Sequence, residues 1–198
     1  MSFDAHDWEN IYLQTAPAAL PWNAGGPDSD LVRLVKAGTI PVGQALDIGT
    51  GPGHDAVFLI QHGFNVIGID ISPTAVVLAR ENASNAGLFG FFQEGDIRHI
   101  PVEDRYVDFA NDRGCFHVLE PPDRPQAVDE IHRVLKPRGL YLLRVFSDKQ
   151  PGTEGPFRFT RKELEDLFKG KFNTLQFWEG IFEGPMKPKS YSMLLEKK

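Results

Sequence analysis

The stretch Leu46-Asp47-Ile48-Gly49-Thr50-Gly51-Pro52-Gly53 decides the fold class of this chain. An apolar run at residues 44–48 leads into it and a helical pattern at residues 54–62 follows, so the glycines lie at a strand-to-helix turn. In parallel α/β sheets, ligands bind outside the carboxyl ends of the strands, and glycines there let a ligand approach the backbone. The stretch predicts either a ligand-binding turn or an ordinary glycine-rich turn of an α/β protein.

Strand-like and helix-like segments alternate from about residue 30 onward. Strands are predicted at 44–48, 65–69, 89–93, 107–111, 140–146, 173–182 and 190–196, and helices at 54–62, 73–87, 124–135 and 160–169. Because no helix separates the last two strands, we expect them to form an antiparallel hairpin. The pattern predicts a three-layer, Rossmann-like, doubly wound α/β sheet of seven strands, mostly parallel, with an antiparallel C-terminal hairpin.

Composition limits the classes of protein to which the chain can belong. Its 198 residues are 41 % hydrophobic and 24 % charged, which is typical of one globular domain. A single cysteine excludes an intrachain disulfide, and the six histidines show no i, i+4 pairing, so no metal site is predicted. We expect a cytoplasmic protein without a membrane partner, because no apolar run has the length of a membrane span. The net charge of −6 and the lack of a basic stripe disfavour a nucleic-acid partner, and a monomer is favoured.

The spacing of the glycines separates two kinds of ligand. A dinucleotide site needs G-x-G-x-x-G, but here the spacing is G-x-G-x-G and His54 stands where the last glycine would be. Asp47, at the strand end, would repel a pyrophosphate, whereas it can hold a cationic amine. The turn therefore favours S-adenosylmethionine (SAM), whose methionine end carries an ammonium group.

Two further acids follow strand ends. Asp70 closes the second predicted strand, where a carboxylate can accept bonds from both ribose hydroxyls; the alternative is an exposed turn residue. Asp96 follows the third strand, where it can accept from an adenine amino group while Ile97 packs on the ring. Each feature is weak alone, and together they favour an adenosyl ligand.

Four stretches resemble the class I SAM-dependent methyltransferases, and the resemblance covers about residues 28–198. They are residues 47–53, Gly68-Ile69-Asp70-Ile71-Ser72, Gly95-Asp96-Ile97 and Leu135-Lys136-Pro137-Arg138-Gly139. In that family the glycine motif holds the amino-acid end of SAM, and the next two acids meet the ribose and the adenine. The resemblance implies SAM as the cofactor and these roles for Asp47, Gly49, Gly51, Gly53, Asp70, Ile71, Asp96 and Ile97. Arg138 stands where the family often has glycine.

A narrower resemblance points to the thiopurine/tellurite-resistance-type small-molecule methyltransferases. It rests on Leu20-Pro21-Trp22, Asp112-Arg113-Gly114-Cys115-Phe116-His117 and Gly155-Pro156-Phe157-Arg158-Phe159-Thr160. It implies methyl transfer to sulfur, selenium, tellurium, halide or a similar soft nucleophile on a small acceptor. Asn111 stands where that pattern has an apolar residue, so the fourth strand is expected to end one residue earlier.

The residues after the fourth strand are the candidates for chemistry. We expect His117 to act as a base or to orient the acceptor, and Arg113 to hold an anionic acceptor or a thiolate; the alternatives are a packed histidine and an arginine that pairs with Asp112 or caps a helix. Asp112 is expected to reach the cofactor or the acceptor. Trp22 either packs in the core or closes over the sulfonium.

Two segments are expected to define the acceptor. Residues 1–27 are predicted to form an N-terminal leader that covers the active site, and residues 28–198 the SAM-binding domain. The loop at 148–159 is either a lid or a passive connector. The phenylalanines expected to line an acceptor pocket are Phe146, Phe157, Phe159 and Phe182.

Other functions remain open from the sequence. An RNA, DNA or protein methyltransferase of the same fold is one alternative, although the Asn/Asp-Pro-Pro-aromatic string of amino-methylating nucleic-acid enzymes is missing after the fourth strand. A non-catalytic SAM-binding regulator is another. An NAD-dependent oxidoreductase is disfavoured by the glycine spacing and by Asp47.

Overall fold

The structure, a computed structural model, describes residues 4–184 and 186–198, which fold around one sheet. Its strands are β1 (Gln44–Ile48), β2 (Asn65–Asp70), β3 (Phe91–Glu94), β4 (Val107–Arg113), β5 (Leu135–Ser147), β6 (Arg158–Phe159), β7 (Phe172–Ile181) and β8 (Lys189–Lys197). The order is β3-β2-β1-β4-β5-β8-β7, with β6 beside β5, and β8 runs antiparallel to β5 and β7. The predicted sheet with its antiparallel hairpin is confirmed, and β6 adds a two-residue strand.

Helices cover both faces of the sheet. They are α1 (Ala5–Gln14), α2 (Ser29–Lys36), α3 (His54–Gln61), α4 (Pro73–Asn85), α5 (Arg124–Val134) and α6 (Arg161–Phe168). Apolar residues of α5 and α6 pack with one face, and those of α2, α3 and α4 pack with the other. The Thr160–Glu163 capping box and the Ser72 cap begin α6 and α4 as their sequences predict. Helices α1 and α2 were not predicted; aspartates cap both of them.

Strands β4 and β5 depart from the sequence prediction. The expectation that β4 ends before Asn111 is wrong, because Asn111 pairs with both neighbouring strands and its side chain is buried among polar partners. Strand β5 starts at Leu135 and includes the predicted turn at 136–139 as an irregularity. Arg138 has a φ of 64° there, a conformation that favours glycine.

The leader packs against α4 at the edge of the glycine turn. Tyr12 and Leu20 form a small buried cluster with Ala75 of α4. The carboxylate of Glu9 accepts hydrogen bonds at the start of α4, from the Ser72 hydroxyl at 2.6 Å and from the Thr74 N–H at 3.0 Å. Residues 1–3 of the predicted leader lie outside the described residues.

Of the helices in the described residues, none combines the length and the apolar character needed to cross a bilayer.

Candidate active site

The turn between β1 and α3 has a glycine at each of its three left-handed positions. Gly49, Gly51 and Gly53 have φ values of 65°, 50° and 81°, in the left-handed region. A Cβ at Gly49 would lie 2.7 Å from the Cβ of Cys115, and a Cβ at Gly53 would lie 3.0 Å from Ala79. The turn therefore allows neighbouring segments and a ligand to approach the backbone closely.

A buried polar network lies under this turn. Asp47 accepts from the Thr50 hydroxyl at 2.7 Å and from the Asn111 amide at 2.8 Å, and the same amide lies 3.2 Å from Asp55. Burial raises the pKa of Asp47, against the hydrogen bonds of Asn111 and Thr50. Burial, together with the charges of Asp47 and Asp28, raises the pKa of Asp55 to about 7. The network concentrates carboxyl groups next to the glycines.

Asp70 connects the end of β2 to the same turn. Its carboxylate accepts from the Gly51 N–H at 2.9 Å and from the Ser72 N–H at 3.0 Å. The side chain is buried, and burial raises its pKa to about 6. Ile71, the next residue, is half-buried. The structure thus brings the first two sequence motifs into direct contact.

Asp96 has a partner that the sequence did not reveal. Nε of Arg98 lies 3.0 Å from both carboxylate oxygens, and another guanidinium nitrogen of Arg98 donates to Asp123 at 2.9 Å. Burial would raise the pKa of Asp96, but the bonds from Arg98 hold it below its usual value. Ile97 is buried in the core cluster on the α5 face. The predicted contact of Asp96 with adenine stays a prediction.

The leader reaches the glycine turn through two aromatic residues. The Tyr12 oxygen lies 3.0 Å from the place that a Cβ of Gly51 would take, and it accepts from Trp22 Nε1 at 3.3 Å. The ring of Trp22 meets those of Tyr12 and Trp8 edge-on. Trp22 is thus linked to the turn through Tyr12, and its expected place over the sulfonium stays a prediction.

Asp112 shapes the segment after β4. Its carboxylate accepts from the backbone N–H groups of Cys115 at 2.7 Å and Phe116 at 3.1 Å, and from the Tyr141 hydroxyl at 3.1 Å. Burial raises its pKa to about 7. Because side chains alternate along a strand, Asp112 faces away from the Asn111 network. These contacts explain why Asp112 is buried, and its contact with a cofactor stays a prediction.

His117 is held in one protonation state. Its Nδ1 accepts from the backbone N–H of Phe146 at 3.1 Å, so the neutral ring carries its proton on Nε2. Burial lowers its pKa to about 3. Nε2 would lie 2.9 Å from a Cβ at Gly114, which shows how closely the ring approaches that residue. Near neutral pH such a ring can donate a hydrogen bond from Nε2. The roles expected of His117, a base or an orienting residue, stay predictions.

Arg113 binds carboxylates and carbonyls, and it does not pair with Asp112 as one alternative expected. It donates to Asp28 at 3.2 Å, to the Trp22 carbonyl at 3.0 Å and to the Glu183 carbonyl at 3.3 Å. It therefore joins the leader, the start of α2 and the loop between β7 and β8.

The four phenylalanines expected at an acceptor pocket do not lie together. Phe146 and Phe182 face His117, with ring centroids 4.8 and 5.7 Å from it. Phe159 is fully buried in the core, so its assignment to the pocket is wrong. Phe157 stacks under Arg124.

The loop at 148–159 is tied together by one side chain. Arg158 donates to four backbone carbonyls, those of Gln150, Pro151, Glu154 and Pro156. Phe157 also donates its N–H to the His117 carbonyl. The loop is therefore fixed to the segment after β4.

Comparison with known proteins identifies the family. A model described as a methyltransferase domain matches residues 45–139. The probable thiol methyltransferase 2 of Arabidopsis thaliana is 32 % identical over 163 residues, which cover 81 % of this chain and 70 % of that protein.

This chain belongs to the SAM-dependent methyltransferases.

Solved structures agree with this methyltransferase fold. A SAM-dependent methyltransferase from Methanosarcina mazei is 25 % identical, has a TM-score of 0.70 and covers 78 % of this chain and 92 % of its own. A structure reported for the conversion of a disulfide bond into a thioacetal group during echinomycin biosynthesis has a TM-score of 0.87 at 23 % identity. It covers 98 % of this chain and 93 % of its own, which shows that the shared fold includes the leader region.

The residues around the glycine turn of the methyltransferase fit its cofactor. SAM carries an ammonium and a sulfonium, and the buried carboxyls Asp47, Asp55 and Asp70 surround the turn with complementary charge. Within the described residues, no group of three or more His, Cys, Asp and Glu side chains is placed to hold a metal ion.

Sequence reasoning missed several residues of the site. Asn111 and Arg144 had a signal, because each is a polar residue inside an otherwise apolar strand. Asp55 and Arg98 had none, since acids in a first helical turn and arginines after an aspartate are common. Tyr12 was noted only as part of the leader.

Proposed function

We propose that this methyltransferase transfers the methyl group of SAM to a soft nucleophile, such as a thiol or chalcogen, on a small molecule. Bound SAM supplies a methyl carbon activated by the sulfonium, and the reaction is an in-line displacement. The protein has to align the acceptor and exclude water. The state of His117 is the observation that carries the proposal.

A hard acceptor needs a base. The carboxylates of Asp70 and Asp112 already accept hydrogen bonds from backbone N–H groups, and His117, Cys115 and Tyr12 are not suited to the role either. His117 is neutral with its accepting nitrogen bonded to Phe146. Burial raises the pKa of the Cys115 thiol and of the Tyr12 phenol, so both stay protonated near neutral pH. Alcohols and amines must lose a proton during transfer, whereas a thiol ionises in water with a pKa of about 8.5 and arrives partly as thiolate. A soft nucleophile is therefore the acceptor that suits this site.

We assign the cofactor contacts to the residues of the three motifs. Asp47 and the backbone of Gly49, Gly51 and Gly53 would hold the amino-acid end of SAM, and Trp22 would lie near the sulfonium. The ribose would meet Asp70 and Ile71, and the adenine Asp96 and Ile97. The bonds that Asp70 and Asp47 make to the turn support these assignments, because they place both carboxyls at the strand ends where ligands bind.

A small acceptor fits the segments that lie around the site. The leader reaches Gly51 through Tyr12, and the loop between β7 and β8 contacts Arg113. The leader and this loop both bond to Arg113 at the end of β4. The thiol methyltransferase relative supports sulfur as the acceptor atom. The cytoplasmic location remains a prediction from composition.

The test measures S-adenosylhomocysteine release with a thiol, an alcohol and an amine on the same benzyl skeleton. We expect the thiol to be methylated at least a hundred times faster than the other two, with a pH profile that follows the thiol's own ionisation. Faster methylation of the alcohol or the amine would refute the proposal.

The variant Asp70→Ala tests the cofactor assignment separately. It should weaken SAM binding by about 1–3 kcal/mol, because charge-assisted hydrogen bonds are lost. Calorimetry on the folded variant measures this change. Unchanged SAM affinity would contradict the ribose assignment without affecting the acceptor proposal.

A further inference from the structure

Two arginines form a cluster with two carboxylates at the carboxyl ends of β4 and β5. We call Arg113, Arg144, Asp28 and Glu183 the arginine cluster. Arg144 lies in the middle of an apolar strand with 4 % of its side chain exposed, and it donates to Asp28 and, at 3.1 Å, to Glu183. Arg113 shares both partners, at 3.2 Å from Asp28 and 3.6 Å from Glu183. Arg144 also lies 3.7 Å from Asp30, whose carboxylate pairs with Arg33 at 3.3 Å. With this second pair included, three positive and three negative charges balance around the cluster.

Every guanidinium nitrogen of the cluster has a partner. The nitrogens of Arg113 bond to Asp28 and to the carbonyls of Trp22 and Glu183. Those of Arg144 bond to Asp28 and Glu183, to the Ile181 carbonyl at 2.6 Å and to the Ser190 hydroxyl at 3.4 Å. An incoming anion would have to replace one of these partners. In this state the arginines are not free to bind an acidic group.

The cluster borders the region where the acceptor would lie. Both guanidiniums face the ring of Phe182, at 5.6 Å for Arg113 and 5.0 Å for Arg144. The Phe182 ring also packs against Phe146 and His117. His117 adjoins Gly114, and the next residue, Cys115, lies over Gly49 of the cofactor turn. A single aromatic ring thus separates the arginine pair from the side chains around the proposed acceptor position.

The two carboxylates of the cluster differ in how firmly they are fixed. Asp28 has 3 % of its side chain exposed and caps α2, with its carboxylate accepting from the N–H groups of Asp30 and Leu31. Glu183 lies in the loop after β7, and 32 % of its side chain is exposed. Its carboxylate also accepts from the Ser29 hydroxyl. Asp28 is therefore held in place as a buried helix cap. Glu183 reaches the arginine cluster from a surface loop, and its carboxylate helps to neutralise Arg113 and Arg144.

We propose that Glu183 makes this enzyme select acceptors that carry no anionic group besides the reacting sulfur, because its carboxylate neutralises an arginine pair that would otherwise bind such a group. The proposal rests on the proposed function and names the acceptor class more narrowly. A carboxylate on the acceptor would lose its hydration next to Phe182 and meet Glu183 as a like charge. An uncharged aromatic or alkyl thiol meets only ring faces and a neutral histidine there.

The experiment uses two thiols that differ by one carboxylate, benzyl mercaptan and 4-(mercaptomethyl)benzoate. For the wild-type enzyme we expect kcat/KM to be at least tenfold lower with the benzoate. Glu183→Gln keeps the shape and an accepting oxygen but removes the charge. It should raise the benzoate-to-benzyl ratio of kcat/KM at least tenfold, through KM.

Glu179→Gln is the matched control, because it removes the same charge from the adjoining strand β7, where Glu179 is exposed and pairs with Lys149. It should leave the ratio unchanged. A wild-type preference for the benzoate, or the same ratio in wild type and Glu183→Gln, would overturn the proposal. If neither thiol is methylated, the proposed function fails. The selectivity is then still measured as the ratio of the dissociation constants of the two thiols with S-adenosylhomocysteine present.

Discussion

Asn111 donates its amide to two buried carboxyls, and replacing it tests the network under the cofactor turn. The variant Asn111→Leu keeps a similar side-chain volume and removes the bonds to Asp47 at 2.8 Å and to Asp55 at 3.2 Å. Burial raises the pKa of both carboxyls above the usual 3.8, to about 7 for Asp55. The folded state therefore binds protons more tightly than the unfolded state, and stability falls as pH rises from about 4 to 8.

The expected loss in the variant follows from the charge on the acceptors. At pH 8, above its pKa of about 7, Asp55 is ionised, so its bond to Asn111 is charge-assisted and worth ~1.5 kcal/mol, the low end of the range. At pH 4.5 Asp55 is protonated in the folded state, and a neutral bond is worth ~0.5 kcal/mol. The loss in the variant should therefore be about 1 kcal/mol larger at pH 8 than at pH 4.5, and the raised pKa of Asp47 adds to the difference in the same direction.

Urea unfolding at pH 4.5 and pH 8 measures this difference. Asn23→Leu is a suitable control, because its amide bonds to the Pro17 carbonyl and the Gly25 N–H, which do not titrate. The control should lose the same free energy of unfolding at both pH values. Our reasoning is refuted if Asn111→Leu destabilises the protein equally at both, or if its loss at pH 8 matches that of the control.

Two further changes probe the leader and the β5 irregularity. Glu9→Gln should weaken the hydrogen bonds of this side chain to Ser72 and Thr74. If the free energy of docking the leader falls by ~1.4 kcal/mol, hydrogen exchange in α1 should become about tenfold faster. Unchanged exchange would show that apolar packing alone holds the leader. Arg138→Gly should stabilise the protein by about 0.5–1 kcal/mol in thermal unfolding, since its φ of 64° strains a non-glycine residue. Arg161→Gly in α6 should instead destabilise it by ~1 kcal/mol, and a loss in both variants would contradict the strain argument.

The fold and the cofactor turn could be predicted from local signals. Apolar runs gave the parallel strands, and Ser72 and Thr160 marked the starts of two helices. The short spacing of Gly49, Gly51 and Gly53 and the acid at Asp47 pointed to SAM rather than a dinucleotide. Each of these features depends on residues that are close together in the sequence. Hydrophobic periodicity and turn residues are therefore enough to predict them.

The acceptor side could not be predicted in the same way, because its residues meet only when distant segments fold together. Asp28 and Arg144 are separated by more than a hundred residues, and Glu183 joins them from a loop near the other end of the chain. The charge balance of the arginine cluster depends on all four of its residues, including Arg113, and no single stretch of sequence contains them. The sequence predicted His117 as a base or an orienting residue, but it could not show that the Phe146 N–H donates to Nδ1 in the folded chain.

Local sequence thus determined the α/β sheet, the glycine turn and the acids at the strand ends, since each depends on backbone conformation and neighbouring residues. Tertiary structure decided the protonation state of His117 and the neutralisation of Arg113 and Arg144. Those properties depend on burial and on hydrogen-bond partners from other elements, and both arise only when the leader, the strand ends and the loop after β7 pack together.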